Sequence, residues 1–137
     1  MSCLFNSMSH FIKEEWGPIG IRQRICDYLE QNLPILDGME TRDVLQLESP
    51  SSENYIAKMR HASTWGGAIE IQCACNIWNA RIIVHDIRSH HRHDIRSHHR
   101  HENNNKIEFL PLKSSTNPPS IEFHLEWSGG HYEPRKQ

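Results

Sequence analysis

The chain has 137 residues, 15 Lys+Arg against 17 Asp+Glu, and a formal net charge of -2 with its 11 histidines neutral. That length suits one domain with its own core, expected over residues 1–137, and the charge balance offers no basic excess to hold nucleic acid. No apolar run approaches the ~20 residues of a membrane span, and the start lacks the basic-then-apolar layout of a secretory signal, so the expected setting is the cytoplasm.

In chain order, Leu4, Met8, Phe11 and Ile12 fall on one face of a helix expected from about Cys3 to Lys13, closed by a break at Trp16, Gly17, Pro18 and Gly20. A second amphipathic helix is expected from Ile21 to Asn32. Ile21, Ile25, Tyr28 and Leu29 form its apolar stripe, Arg22, Gln23, Arg24 and Glu30 take the other side, and Pro34 stops it. A short helix over Thr41 to Leu47 follows. Ser51 and Ser52 are caps for another, carrying Tyr55, Ile56 and Met59. The most apolar helix runs from Ala68 to Trp78, with Glu70 expected as a solvated or helix-N-terminal carboxylate.

Arg81 to His85 reads as a central strand, rich in β-branched residues on both faces. Ile107 and Phe109 alternate in a second strand, and Ile121, Phe123, Leu125 and Trp127 in a third, with His124 on its polar side. Helices come first and strands last, so the class is α+β, a small sheet flanked by helices. Between strands one and two, His85-Asp86-Ile87-Arg88-Ser89-His90-His91-Arg92 is repeated without change as residues 93–100. Residues 85–105 read as a His-rich insertion lengthened by local duplication. Imidazoles at this density suit Zn²⁺, Ni²⁺ or Cu²⁺, but a solvated loop without fixed tetrahedral geometry is the favoured reading, and neither a metal nor a cofactor is expected.

The four cysteines, Cys3, Cys26, Cys73 and Cys75, sit in helical patterns without the spacing of a disulfide framework and are expected to be reduced. Cys3 opens its helix, where unpaired N–H groups and the helix dipole favour a thiolate. At the other end, Gly129-Gly130-His131-Tyr132-Glu133 offers an imidazole and a carboxylate that share one face of an extended chain. Nucleophile, base and orienter make the set used by triad hydrolases.

Three separated segments carry a resemblance. Cys3-Leu4-Phe5-Asn6-Ser7, Thr64-Trp65-Gly66-Gly67-Ala68-Ile69-Glu70 and Trp127 to Pro134 resemble, in order, the nucleophile, central and histidine segments of the ovarian-tumour (OTU) cysteine proteases, which remove ubiquitin from proteins. The resemblance implies a papain-like OTU fold and a monomeric deubiquitinase acting on ubiquitin or ubiquitin-like conjugates. Its catalytic residues would be Cys3, His131 and Glu133, with the Cys3 backbone N–H in the oxyanion hole and Trp65, Gly66, Trp127, Gly130 and Tyr132 at the substrate. OTU proteins usually place Asp-Gly-x directly before the cysteine, whereas Met1 and Ser2 stand there in this sequence, which predicts a labelled thiol but slowed hydrolysis. A ubiquitin-binding domain that cleaves poorly and a metal-binding protein built on the histidine tract are the alternatives.

Overall fold

The computed structural model describes residues 3–88, 105–112 and 118–135. Among these residues the helices are α1 (Cys3–Met8), α2 (Gly17–Glu30), α3 (Thr41–Gln46), α4 (Ser52–Met59) and α5 (Ala68–Trp78). The strands are β1 (Ala80–Asp86), β2 (Lys106–Phe109), β3 (Ile121–Trp127) and β4 (Tyr132–Arg135).

Two helix boundaries differ from the sequence expectation for local reasons. α1 stops at Met8 instead of Lys13, because the Ser7 and Ser9 hydroxyls turn back on the Cys3 and Asn6 carbonyls and the chain continues in tight turns through Ile12. α2 starts four residues earlier than expected, at Gly17, since Pro18 is accommodated in a first turn that needs no N–H from it. Ser51 caps α4 as expected, its hydroxyl accepting from the Asn54 N–H at 3.0 Å.

The sheet order is β2-β1-β3-β4, antiparallel at both edges and parallel between β1 and β3. β1 is therefore central. Its Ala80, Ile82 and Val84, with Phe123 and Leu125 of β3, join one hydrophobic core with Leu4, Phe5 and Met8 of α1, Ile21, Ile25 and Leu29 of α2, and Ile71, Cys73 and Ala74 of α5. The opposite face is polar. Arg81 pairs with Glu108 at 2.5 Å and Glu122 at 2.8 Å.

His85 lies in β1 as the strand reading of Arg81 to His85 expected, and Asp86, read from the sequence as part of the insertion, belongs to β1 as well. His85 Nε2 lies 2.8 Å from His124 Nδ1, so His124 is hydrogen-bonded on its polar face. Burial, reinforced by the positive charges of Arg135 and Lys106, pushes the His85 imidazole down to about 4. Residues 89–104, which hold most of the duplicated tract, lie outside the described residues, and the metal-binding reading of the tract lies there with them. Among the described residues no group of three or more His, Cys, Asp or Glu side chains is placed to hold a metal ion, and no helix is long and apolar enough to cross a membrane.

Because His85 faces Lys106 across the β1–β2 ladder, the duplicated segment leaves and rejoins the sheet at neighbouring points. Closing such a connection costs on the order of 0.6 kcal/mol per doubling of its length. Deleting His93 to Arg100 is expected to leave the melting temperature and any hydrolytic activity close to those of the parent, as measured by thermal denaturation and a turnover assay.

Candidate active site

α1 presents Leu4, Phe5 and Met8 to the core, each at most 1% exposed, and this leaves Cys3, its first residue, partly exposed. Burial of Phe5 alone is worth about 3–5 kcal/mol against truncation to alanine, so the helix is firmly seated. With only six residues, α1 has a smaller dipole than the longer expected helix.

The segment Thr64-Trp65-Gly66-Gly67 lies directly on this helix. A Cβ on Gly66 would come within 2.9 Å of Leu4 Cδ2 and Phe5 Cζ, closer than packed carbons approach, so only glycine fits. Two buried charges hold the segment in place. Arg22 donates to the carbonyls of Met59 at 2.7 Å, Ala62 at 3.2 Å and Thr64 at 2.9 Å, while its guanidinium covers the Phe5 ring at 4.2 Å. Glu70 accepts from the Gly67 N–H at 2.8 Å and from the Tyr55 hydroxyl at 2.6 Å.

Both charges depart from the sequence expectation. The amphipathic pattern puts Arg22 on the side of α2 away from its apolar stripe, yet it is 3% exposed; Glu70 stands at a helix N-terminus as expected, but it is 1% exposed, not solvated. Burial pulls the Arg22 guanidinium down and pushes the Glu70 carboxyl up. Trp65 is exposed and edges over the second glycine loop, where a Cβ on Gly130 would stand 3.3 Å from its ring.

That second loop is the β3–β4 turn. The Ser128 N–H donates to the His131 carbonyl at 3.0 Å, and Gly129 takes φ 109°, a region open to glycine. Arg88, held by both oxygens of Asp86, stacks on the Trp127 ring at 4.3 Å and lies against Gly129. At the end of the turn His131 Nε2 stands 3.2 Å from Glu133 Oε2, both side chains exposed. With Nε2 engaged by the carboxylate, Nδ1 is the nitrogen left for a proton acceptor role.

The structure thus joins His131 to Glu133 and packs α1 against β4, the strand that begins at Tyr132. Among the described residues no hydrogen bond joins the Cys3 thiol to His131. Trp127 and Tyr132 are half-buried and packed on the core, whereas Trp65 and Gly130 are exposed. Met1 and Ser2, which stand where OTU proteins usually carry Asp-Gly-x, lie outside the described residues. Sequence reasoning missed Arg22 as a loop anchor and Ser7, whose hydroxyl reaches the Tyr132 carbonyl at 3.1 Å. A polar residue on the stripe formed with Leu4 and Met8 was the available signal for Ser7.

All four cysteines are free. Burial pushes the Cys26 thiol up to about 11 and Cys75 up to about 12, and raises Cys73 as well. Brief alkylation of the folded protein near pH 8 is expected to modify Cys3 and spare the other three, read by peptide mass mapping. For Glu70 the sign follows from its raised folded-state pKa: ionising it costs the folded state more than the unfolded one, so the stability of the parent falls as pH rises above about 4.5. Glu70→Gln keeps an acceptor for Gly67 without that cost. Its melting temperature relative to the parent is expected to climb as pH rises above about 4.5.

The model of the OTU-like cysteine protease family matches residues 2–132. No curated protein sequence matches the chain. Among solved structures, an ovarian tumour domain in complex with ubiquitin is similar with a TM-score of 0.65 and 18% identity, covering 97% of this chain and 62% of that one. The viral OTU protease of Dera Ghazi Khan virus is similar with a TM-score of 0.61 and 19% identity over 97% of this chain and 72% of the other. A ubiquitin-bound OTU deubiquitinase of Wolbachia pipientis wMel gives a TM-score of 0.57 and 17% identity over 97% and 88%. The present chain therefore spans a little under two thirds of the first of these, and likeness at such identities speaks for the fold. With the family match over nearly its whole length and the papain-like α+β arrangement of those domains, this chain belongs to the OTU-like cysteine protease family.

Proposed function

We propose that this domain is a deubiquitinating enzyme that cleaves the isopeptide bond after the C-terminus of ubiquitin or a ubiquitin-like protein, with Cys3, His131 and Glu133 as its triad. The observation that carries the proposal is the 3.2 Å contact between His131 Nε2 and Glu133 Oε2 at the head of the strand on which the Cys3 helix packs. The choice of ubiquitin is supported by the family match and by the ubiquitin-bound relatives.

In this mechanism His131 Nδ1 takes the Cys3 proton and the thiolate attacks the scissile carbonyl. The Cys3 N–H, left without an intrahelical partner at the first position of α1, donates to the developing oxyanion. Collapse of the tetrahedral species breaks the C–N bond as the imidazolium protonates the leaving lysine amine. Water, deprotonated by His131, then releases the thioester. Glu133 keeps the ring oriented and stabilises its cationic form. The open Cys3–His131 pair of the free protein closes on substrate binding, as catalytic hydrogen bonds commonly do. A free nucleophilic thiol needs a reducing compartment, which makes the cytoplasm the proposed setting.

The test is reaction with full-length ubiquitin carrying a C-terminal electrophile. A single adduct on Cys3, lost in Cys3→Ala, is the expected result, and an adduct on Cys26 would overturn the assignment. In turnover assays Glu133→Ala is expected to lower kcat by about 10²-fold or more while leaving KM nearly unchanged, whereas Glu122→Ala, paired with Arg81 on the neighbouring strand, changes little.

A further inference from the structure

We propose that Ser7 is a positioning residue of the reaction, its hydroxyl setting the spacing between the Cys3 helix and the strand that carries His131 and Glu133. The inference rests on the triad reading above and adds a residue to it. Ser7 is 2% exposed. Its Oγ–H lies 2.7 Å from the Cys3 carbonyl oxygen and 3.1 Å from the Tyr132 carbonyl oxygen, so one proton is shared between the nucleophile's own peptide unit and the residue between the base and its orienter.

The first of these contacts is ordinary. A serine inside a helix commonly turns its hydroxyl to the carbonyl four residues back, and here that residue is Cys3. The second contact is not local, and the hairpin explains why it is available. Ser128 N–H bonds the His131 carbonyl, which makes 128/131 a hydrogen-bonded pair of the antiparallel ladder and the next pair, Trp127 with Tyr132, a non-hydrogen-bonded one. The peptide groups of Tyr132 therefore point away from β3 to the free edge of the sheet, since β4 is the last strand in the order β2-β1-β3-β4. α1 packs along that edge, and Ser7 meets the outward carbonyl there.

The consequence for chemistry is geometric. His131 and Glu133 flank Tyr132 in sequence, so a restraint on the Tyr132 carbonyl acts on both. Cys3 lies one helical turn from Ser7 on the other side of the same hydroxyl. No other side chain among the described hydrogen bonds touches both peptide units. Without the hydroxyl, α1 keeps its apolar seat through Leu4, Phe5 and Met8, but it loses its directional tie to β4.

The experiment compares the parent, Ser7→Ala, Ser7→Thr, His131→Ala and Ser51→Ala. Ser51→Ala removes the α4 cap, remote from these residues, and serves as a control of similar stability loss. Two quantities are read below the melting transition of each variant: kcat and KM for a fluorogenic C-terminal amide of ubiquitin, and the pH dependence of Cys3 alkylation by iodoacetamide. Ser7→Ala is expected to lower kcat about tenfold with KM within about twofold, and to move the acid limb of the alkylation profile to higher pH, towards that of His131→Ala. Ser7→Thr, which restores a hydroxyl, is expected to recover most of the loss, and Ser51→Ala to match the parent. If Ser7→Ala follows the parent in both readouts, or falls no further than Ser51→Ala, the positioning role is overturned while the triad stands. If His131→Ala leaves the alkylation profile and turnover of the parent unchanged, the triad reading itself fails.

Discussion

A guanidinium sealed from water holds together the half of this molecule that carries Cys3. Arg22 reaches from α2 to three carbonyls of the chain between Met59 and Thr64, and its flat face lies on Phe5. Met59 ends α4, so part of what the cation meets is the negative end of that helix. A buried charge is tolerated only when its donors are satisfied, and here carbonyl dipoles are among the groups that satisfy them. Glu70 completes the arrangement from the other side by taking the Gly67 N–H. The Arg22 cation on the carbonyls and the Glu70 carboxyl on the amide fix the segment from Met59 to Gly67, and the fixed segment is what allows Gly66 to rest on the Cys3 helix.

The same logic divides the site into a rigid and an open part. Everything beneath Cys3 is packed: Phe5 and Leu4 under Gly66, Arg22 over Phe5, Ser7 against Tyr132. The imidazole and its carboxylate, by contrast, stand exposed at the end of a four-residue turn. Exposed pairs of this kind gain little from electrostatics alone, so their geometry depends on the backbone that carries them. Arg88 stacked on Trp127 and lying along Gly129 braces that turn from outside, and Ser7 braces it from within.

How much of this could be read from the sequence depends on whether the cause was local. α5 was legible to the residue because Gly66 and Gly67 precede it and Asn79, in the left-handed region at φ 54°, ends it. β3 was legible from its strict alternation, and the Ser51 cap from its residue type. The pairing of His131 with Glu133 followed from two-residue spacing in an extended chain. α1 was overrun because Phe11 and Ile12 continue the helical period through what are turns. The burial of Arg22 was not legible at all: its partners are backbone carbonyls 37 to 42 residues away, which leave no mark in side-chain patterning. Glu70 misled for a related reason, since a lone acid in the first turn of an apolar helix reads the same whether it faces water or is buried with its carboxylate on the N–H of a half-buried glycine.

The Ser7 to Tyr132 bond also has a meaning in time. Its two ends are 125 residues apart in the chain. A ribosome adding about 5–20 residues per second needs on the order of ten seconds to make the stretch between them. Through that interval the Cys3 helix segment already exists while the hairpin bearing His131 does not. The Ser7 to Tyr132 contact forms only when β4 has been made and has docked on α1. Under the proposed triad, a chain laid out in this order keeps its thiol apart from its imidazole throughout the synthesis of the stretch between them, and that contact is one of the bonds that then joins the two segments.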